Sequence, residues 1–231
     1  MSVGNRLLFG PLSAVLFLFG SIGVGLFLQG YSPVRQDVSE IGALGTPTQL
    51  AFAVLVLVVA ACLAVFAWGV AGVAGRERLP RLAAHLIGFV VLSEVGIAIF
   101  ATPHPLHEPF GLVSLIGYQA PAALAIGWRR KAGMRAIVAA SWLFFVALWA
   151  ATVLILGQGI WPPMGRFLEP VDGMVQRTLF LAWFGWCAVT GVQLWRAERT
   201  RRCLGFFPPS QGRRNPKLRR TFPDPTQAKQ P

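Results

Sequence analysis

The side chains able to do chemistry gather in three short segments: Ser39 and Glu40, then His104, His107 and Glu108, then Asp172, Gln176 and Arg177. Two imidazoles and a carboxylate in His104-x-x-His107-Glu108 could complete a zinc site with an open water position, as a metal-assisted hydrolase requires. That spacing is not the helical His-Glu-x-x-His pattern, and Pro103, Pro105 and Pro109 place the run in an extended turn, so metal is the lesser use of His104 and His107. Arg177 can form a forked pair with Glu40, or hold an anionic group such as a lipid phosphate. The plainer alternative is a structural clamp, in which Ser39 and Glu40 cap a short helix and Arg177 neutralises the carboxylate. No Gly-x-Ser-x-Gly element, phosphate loop or paired-cysteine motif suggests another enzyme, so no catalytic residue and no cofactor is assigned.

Glu94 stands apart, inside an apolar stretch about seven residues from its end, or ~10 Å at 1.5 Å per residue. An unpaired carboxylate at that depth is costly. The next apolar stretch passes Tyr118 and Gln119 about nine residues, or ~14 Å, along its length. The short connection between the two makes them antiparallel neighbours, so Gln119 or Tyr118 is expected to hydrogen-bond Glu94. A proton-coupled carrier built on Glu94 would need a longer polar chain, to which only Ser21 and Ser93 contribute. Pro121 is expected to kink this second stretch and open space beside it.

Six apolar stretches carry these groups: residues 7–29, 50–73, 82–101, 110–128, 136–156 and 174–195. Each matches the roughly 20 residues of one bilayer crossing, which predicts an all-α polytopic bundle of six transmembrane helices in residues 1–200. Gly20, Ser21, Gly23 and Gly25 in the first stretch, and Gly69, Gly72 and Gly75 in and beyond the second, offer small faces for close helix approach. There is no inverted internal repeat of the transporter kind.

The connecting segments fix an expected orientation. Of 21 Lys and Arg residues, only Arg35, Arg166 and Arg177 fall on the side that also carries Asp37, Glu40, Glu108, Glu169 and Asp172. Translocating short Lys/Arg-rich loops is disfavoured, so both termini are expected in the cytoplasm and the three polar segments outside a plasma or inner membrane. Trp68, Trp128 and Trp195 at one end of their stretches, with Tyr31 and Trp161 at the other, suit the headgroup zones.

A chain 55% hydrophobic with only 13% charged residues leaves no room for a separate soluble domain. The pI near 11.3 does not indicate nucleic acid, because ten basic residues against Glu198 and Asp224 sit in the last 36 positions. Residues 201–231, rich in Pro and Arg, are expected to be a disordered cytoplasmic tail whose basic groups, with Phe206 and Phe207, could touch anionic lipid. The first stretch is too long for a signal-peptide core and lacks a cleavage pattern, so it is expected to be retained. Cys62 and Cys187 lie mid-span and Cys203 in the tail, which implies packing and not a disulfide framework.

The core Ser39-Glu40-Ile41-Gly42, followed by Gly45-Thr46-Pro47, resembles the Ser-Glu-Leu-Gly signature of the bacterial membrane family called domain of unknown function 998, with Ile41 in place of the usual Leu. Ile99-Phe100-Ala101-Thr102-Pro103 with His107, and Gly173-Met174-Val175-Gln176-Arg177, resemble two further elements of that family. The resemblance covers about residues 5 to 197 and implies the fold. It transfers no activity. From the residues themselves, the reading is a membrane protein that engages a lipid headgroup or small amphiphile at an outward-facing pocket of Ser39, Glu40, His104, His107, Glu108, Asp172, Gln176 and Arg177. The alternatives are the hydrolase centred on His107 and the carrier centred on Glu94.

Overall fold

Where no water reaches the backbone, a helix satisfies its N–H and C=O groups within one segment, and long apolar runs take that form. The computed structural model describes residues 1–205 and is all-helical over them. Helices α1 (Val3–Leu7) and α2 (Phe9–Gly25) lead to a 3-10 turn (Val38–Gly42). There follow α3 (Gln49–Glu77), α4 (Leu82–Ile99), α5 (His107–Gly117), α6 (Ala120–Trp128) and α7 (Arg135–Ile160). A short α8 (Pro162–Leu168) and a second 3-10 turn (Glu169–Val171) connect to α9 (Asp172–Gly205).

Six of these units are long and apolar enough to cross a membrane, with α1–α2 and α5–α6 each acting as one. The chain is a multi-pass membrane bundle. The first span lies earlier than its hydropathy suggests, since α1 begins at Val3 and residues 26–29 are already turn. Helix α9 runs five residues into the segment assigned to the tail, whereas residues 206–231, with Phe206, Phe207 and the basic run from Arg213, lie outside the described residues, as does the Cys203 side chain.

The spans close a ring in chain order: α2 packs on α3, α3 on α4, α4 on both α5 and α6, α6 on α7, α7 on α9, and α9 back on α2. Phe17, Leu63, Phe66, Leu124, Trp183, Phe184 and Trp186 fill its interior. The rim is as apolar as the core, with Phe19, Leu143, Val146 and Leu181 exposed. This double-sided apolarity is why the sequence shows no amphipathic stripe.

Small residues set the closest approaches. A side chain at Gly69 would meet the Leu7 amide at 3.1 Å, and one at Gly72 would meet Val3 at 3.1 Å, so both let α1 lie against α3. Gly23 faces open space and has no such role. Gly191, against Pro11 at 2.8 Å, and Gly117, against the Leu86 carbonyl at 2.9 Å, make approaches that spacing alone does not reveal.

Acidic groups brace the end of the bundle that holds the N-terminus and the far end of α9, here the basic end. Glu77 pairs with Lys131 at 2.6 Å and with Arg201, and Glu198 pairs with Arg76 at 2.7 Å. Trp128 is not an interfacial residue. It is only 1% exposed and donates its indole N–H to the Pro80 carbonyl at 3.2 Å, fastening the end of α6 to the connection between α3 and α4. Trp68 is exposed, with the Arg6 guanidinium stacked 3.3 Å above its ring. Cys62 and Cys187 are buried free thiols.

Candidate functional site

The opposite, motif end is organised by the 3-10 turn. Its N-cap is Asp37, not Ser39, and the Glu40 carboxylate accepts from the Asp37 amide at 3.0 Å, as a capping residue at that position should. The second Glu40 oxygen accepts from the Gln36 side chain at 2.8 Å. Thr48 holds the far side of the turn by donating to the Ile41 carbonyl at 2.5 Å.

Hydrogen bonds join all three sequence motifs. The Leu44 amide donates to the Thr102 carbonyl at 2.8 Å, tying the turn to the end of α4. The Val38 amide donates to Gln176 Oε1 at 2.6 Å, tying the turn to α9. Arg177 donates to the Gln36 carbonyl at 3.0 Å, the Gly173 carbonyl at 2.8 Å and the Tyr31 hydroxyl, and its guanidinium lies 5.6 Å from the Tyr31 ring centre. No Arg177–Glu40 ion pair forms among the described residues. Glu40 is committed to the cap and to Gln36, while carbonyls and a hydroxyl occupy the Arg177 fork. Gly173 is required here because a side chain would meet the Pro33 carbonyl and Arg177 Nη1, each at 2.8 Å.

His107, at the start of α5, places Nδ1 2.8 Å from the Phe100 carbonyl. A carbonyl only accepts, so Nδ1 carries the proton and Nε2 is the free position. His104 accepts the Leu106 amide on its own Nδ1 at 3.1 Å and lies over the Phe100 ring at 4.9 Å. Among the described residues no group of three or more His, Cys, Asp or Glu is placed to hold a metal ion.

Below the turn lies a cavity of about 570 Å3, within the ~300–1,000 Å3 typical of small-molecule sites. All six spans contribute to its wall. Ser39, His107, Glu108 and Gln176 line its upper part, joined by Asp37. Glu94, Ser93 and Tyr118 line its depth. Of the expected pocket residues, Glu40, His104, Asp172 and Arg177 do not line it. They belong to the frame: Asp172 accepts from Gln158 on α7 at 2.9 Å, and the other three are bonded as described.

The Glu94–Gln119 bond is absent. Gln119 donates instead to the Leu115 carbonyl at 3.2 Å, and Glu94 Oε2 is buried with no hydrogen-bond partner. The reason is the break between α5 and α6. Pro121 has no N–H for the Gly117 carbonyl, the helix stops at Tyr118 and Gln119, and the Gln119 side chain turns back onto α5. Beneath Tyr118 the interior is packed by Trp183 and Trp186, whose rings follow one another at 5.5 Å, with the Trp186 N–H held by Ser141 at 2.9 Å.

Electrostatics at the rim favour protons. Burial pushes the Asp37 carboxyl up to about 6, assisted by Asp172 and Glu40 and opposed by Arg177. Burial likewise raises the Tyr31 hydroxyl, against the pull of Arg177. Asp37, Tyr31, Gln36 and Gly173 are the members of this assembly that spacing did not single out. Their signal is proximity in sequence to Glu40 and Gln176, which does not show which of them face one another.

The family model described as "Protein of unknown function (DUF998)" matches residues 11–193, and the chain belongs to that family. No curated protein and no solved structure matches it.

Proposed function

We propose that this member of the DUF998 family binds a small amphiphile or lipid headgroup in the cavity at its motif end, with that end facing out of the cell and both termini in the cytoplasm. The observation that carries the reading is a cavity whose upper wall is polar and whose depth holds Glu94, lined by all six spans in a largely apolar bundle. An apolar container with a few convergent polar groups is the chemistry of amphiphile recognition. The orientation rests on the distribution of Lys and Arg.

The other two readings draw less support. A hydrolase needs a set of metal ligands or an activated nucleophile, and among the described residues His107 has neither partner ligands around it nor a nucleophile hydrogen-bonded to it. A carrier needs a path beyond Glu94, where Tyr118, Trp183 and Trp186 are packed.

Native mass spectrometry of the full-length protein released from nanodiscs tests the proposal. Wild type is expected to retain one small amphiphile or lipid that Val56→Phe, which projects extra volume from a buried lining position, loses. Equal retention by both proteins would count against a ligand in this cavity.

A further inference from the structure

The chemical character of the cavity narrows what it can hold. Three carboxyl groups, Asp37, Glu94 and Glu108, line it, and among the described residues no Lys or Arg does. The Arg177 guanidinium is already engaged, donating to two backbone carbonyls and the Tyr31 hydroxyl. A phosphate or carboxylate headgroup would therefore face three carboxyl groups with only the His107 imidazole to receive it, at a cost that grows as water is excluded. Glu94 is the independent pointer to a ligand. Its residue is 5% exposed and lines the cavity, neither carboxyl oxygen has a hydrogen-bond partner among the described residues, and Oε2 is enclosed by protein, which leaves Oε1 as the oxygen open to the cavity. A buried carboxyl oxygen left unbonded in a protein interior calls for a donor.

The helix packing around the wall is uneven. Helix α5 packs along α4 and not extensively along α7, whereas α6, beyond the break at Tyr118–Gln119, packs on α7. Leu112 on α5 and Leu156 on α7 both line the cavity and are 54% and 39% exposed on the bundle's flank. Leu112 is five residues into α5, roughly 8 Å from the motif end, and so at the depth of one leaflet's acyl chains.

Resting on the reading that the cavity holds an amphiphile, we propose that its occupant is a cationic one, an amine with a single apolar chain. It passes laterally between α5 and α7, sets its ammonium against Glu94 with Ser93 and Tyr118 beside it, and leaves its chain between Leu112 and Leu156.

The test is equilibrium binding of radiolabelled dodecylamine, dodecanol and dodecanoate to the full-length protein in phosphatidylcholine nanodiscs, corrected for empty discs. Saturable binding of the amine at least about ten-fold tighter than that of the alcohol and the carboxylate is expected, with about a ten-fold loss in Glu94→Gln, the scale of one charge-assisted hydrogen bond. Leu112→Trp with Leu156→Trp is expected to slow dodecylamine association. Equal binding of the three probes to wild type, or unchanged amine affinity in folded Glu94→Gln, overturns the amine assignment while leaving an amphiphile site standing. Absence of saturable binding by all three overturns both. If Glu94→Gln does not fold, the ranking of the three probes on wild type decides alone.

Discussion

The Val38 amide donates to the Gln176 side-chain oxygen at 2.6 Å, so the first residue of the 3-10 turn is fastened to α9 across 138 positions of sequence. With Arg177 on the Gln36 carbonyl, this bond makes the Gln-Arg pair a latch for the polar turn above the cavity. Gln176→Ala would leave the Val38 amide without its acceptor and should cost about 1–3 kcal/mol of stability. Thermal unfolding in detergent measures it. A change within a few tenths of a kcal/mol would show that water replaces the bond and that the latch is not structural.

Arg177 and Tyr31 should behave as a coupled pair. Arg177→Ala and Tyr31→Phe each remove the same contact, so the double variant should be less damaged than the two single effects added, by about 0.5–3 kcal/mol. Arg177→Lys should not rescue, because an ammonium cannot reproduce a fork that serves Tyr31, Gln36 and Gly173 together. Additive losses, or full rescue by lysine, would refute the geometry.

Gly173→Ala tests how tightly α9 abuts the turn. The added carbon meets the Gln36 carbonyl and, at 2.8 Å, the Pro33 carbonyl, and these backbone groups cannot yield as a flexible side chain can. A loss of about 1–3 kcal/mol is expected, as for other overpacked sites. Gly23→Ala, where nothing lies within 4 Å, serves as the control and should be tolerated.

Acid should stabilise the bundle through Asp37. Its folded carboxyl titrates near 6 against an ordinary value of 3.8, so between those values the folded chain holds more proton than the unfolded one. The Asp37 contribution therefore falls as pH rises through that window and is flat above it. Melting temperatures at pH 7 and pH 5 should differ more favourably for wild type than for Asp37→Asn. Identical pH profiles for the two proteins would remove Asp37 as the titrating group.

At the basic end, Glu77 receives both Lys131 and Arg201 while its side chain is 7% exposed. Glu77→Gln should destabilise by about 1–3 kcal/mol by leaving two cations without their shared acceptor. Reporter fusions after Arg78 and Lys131 should read cytoplasmic, and those after Thr46 and Gly165 external. The reversed pattern would turn the cavity toward the cell interior.

Much of this was legible from residue order alone. Six runs of about bilayer length leave helix as the only way to satisfy the backbone, so the number of spans and the all-α class followed from hydropathy. Capping chemistry is local too, and Glu40 does cap a short turn, although Asp37 and not Ser39 begins it. The convergence of three polar motifs at one end followed from counting spans. Partner choice at that end did not, because several donors and acceptors compete within a few ångströms. The Arg177 fork found backbone carbonyls and Tyr31 where Glu40 had equal formal claim, and Gln119 turned back onto its own helix because Pro121 interrupts the span beside it. The cavity belongs wholly to the tertiary structure. It exists because the six spans close a ring in which α6, and not α5, packs extensively on α7, and no local pattern encodes which helix a broken span will lean on.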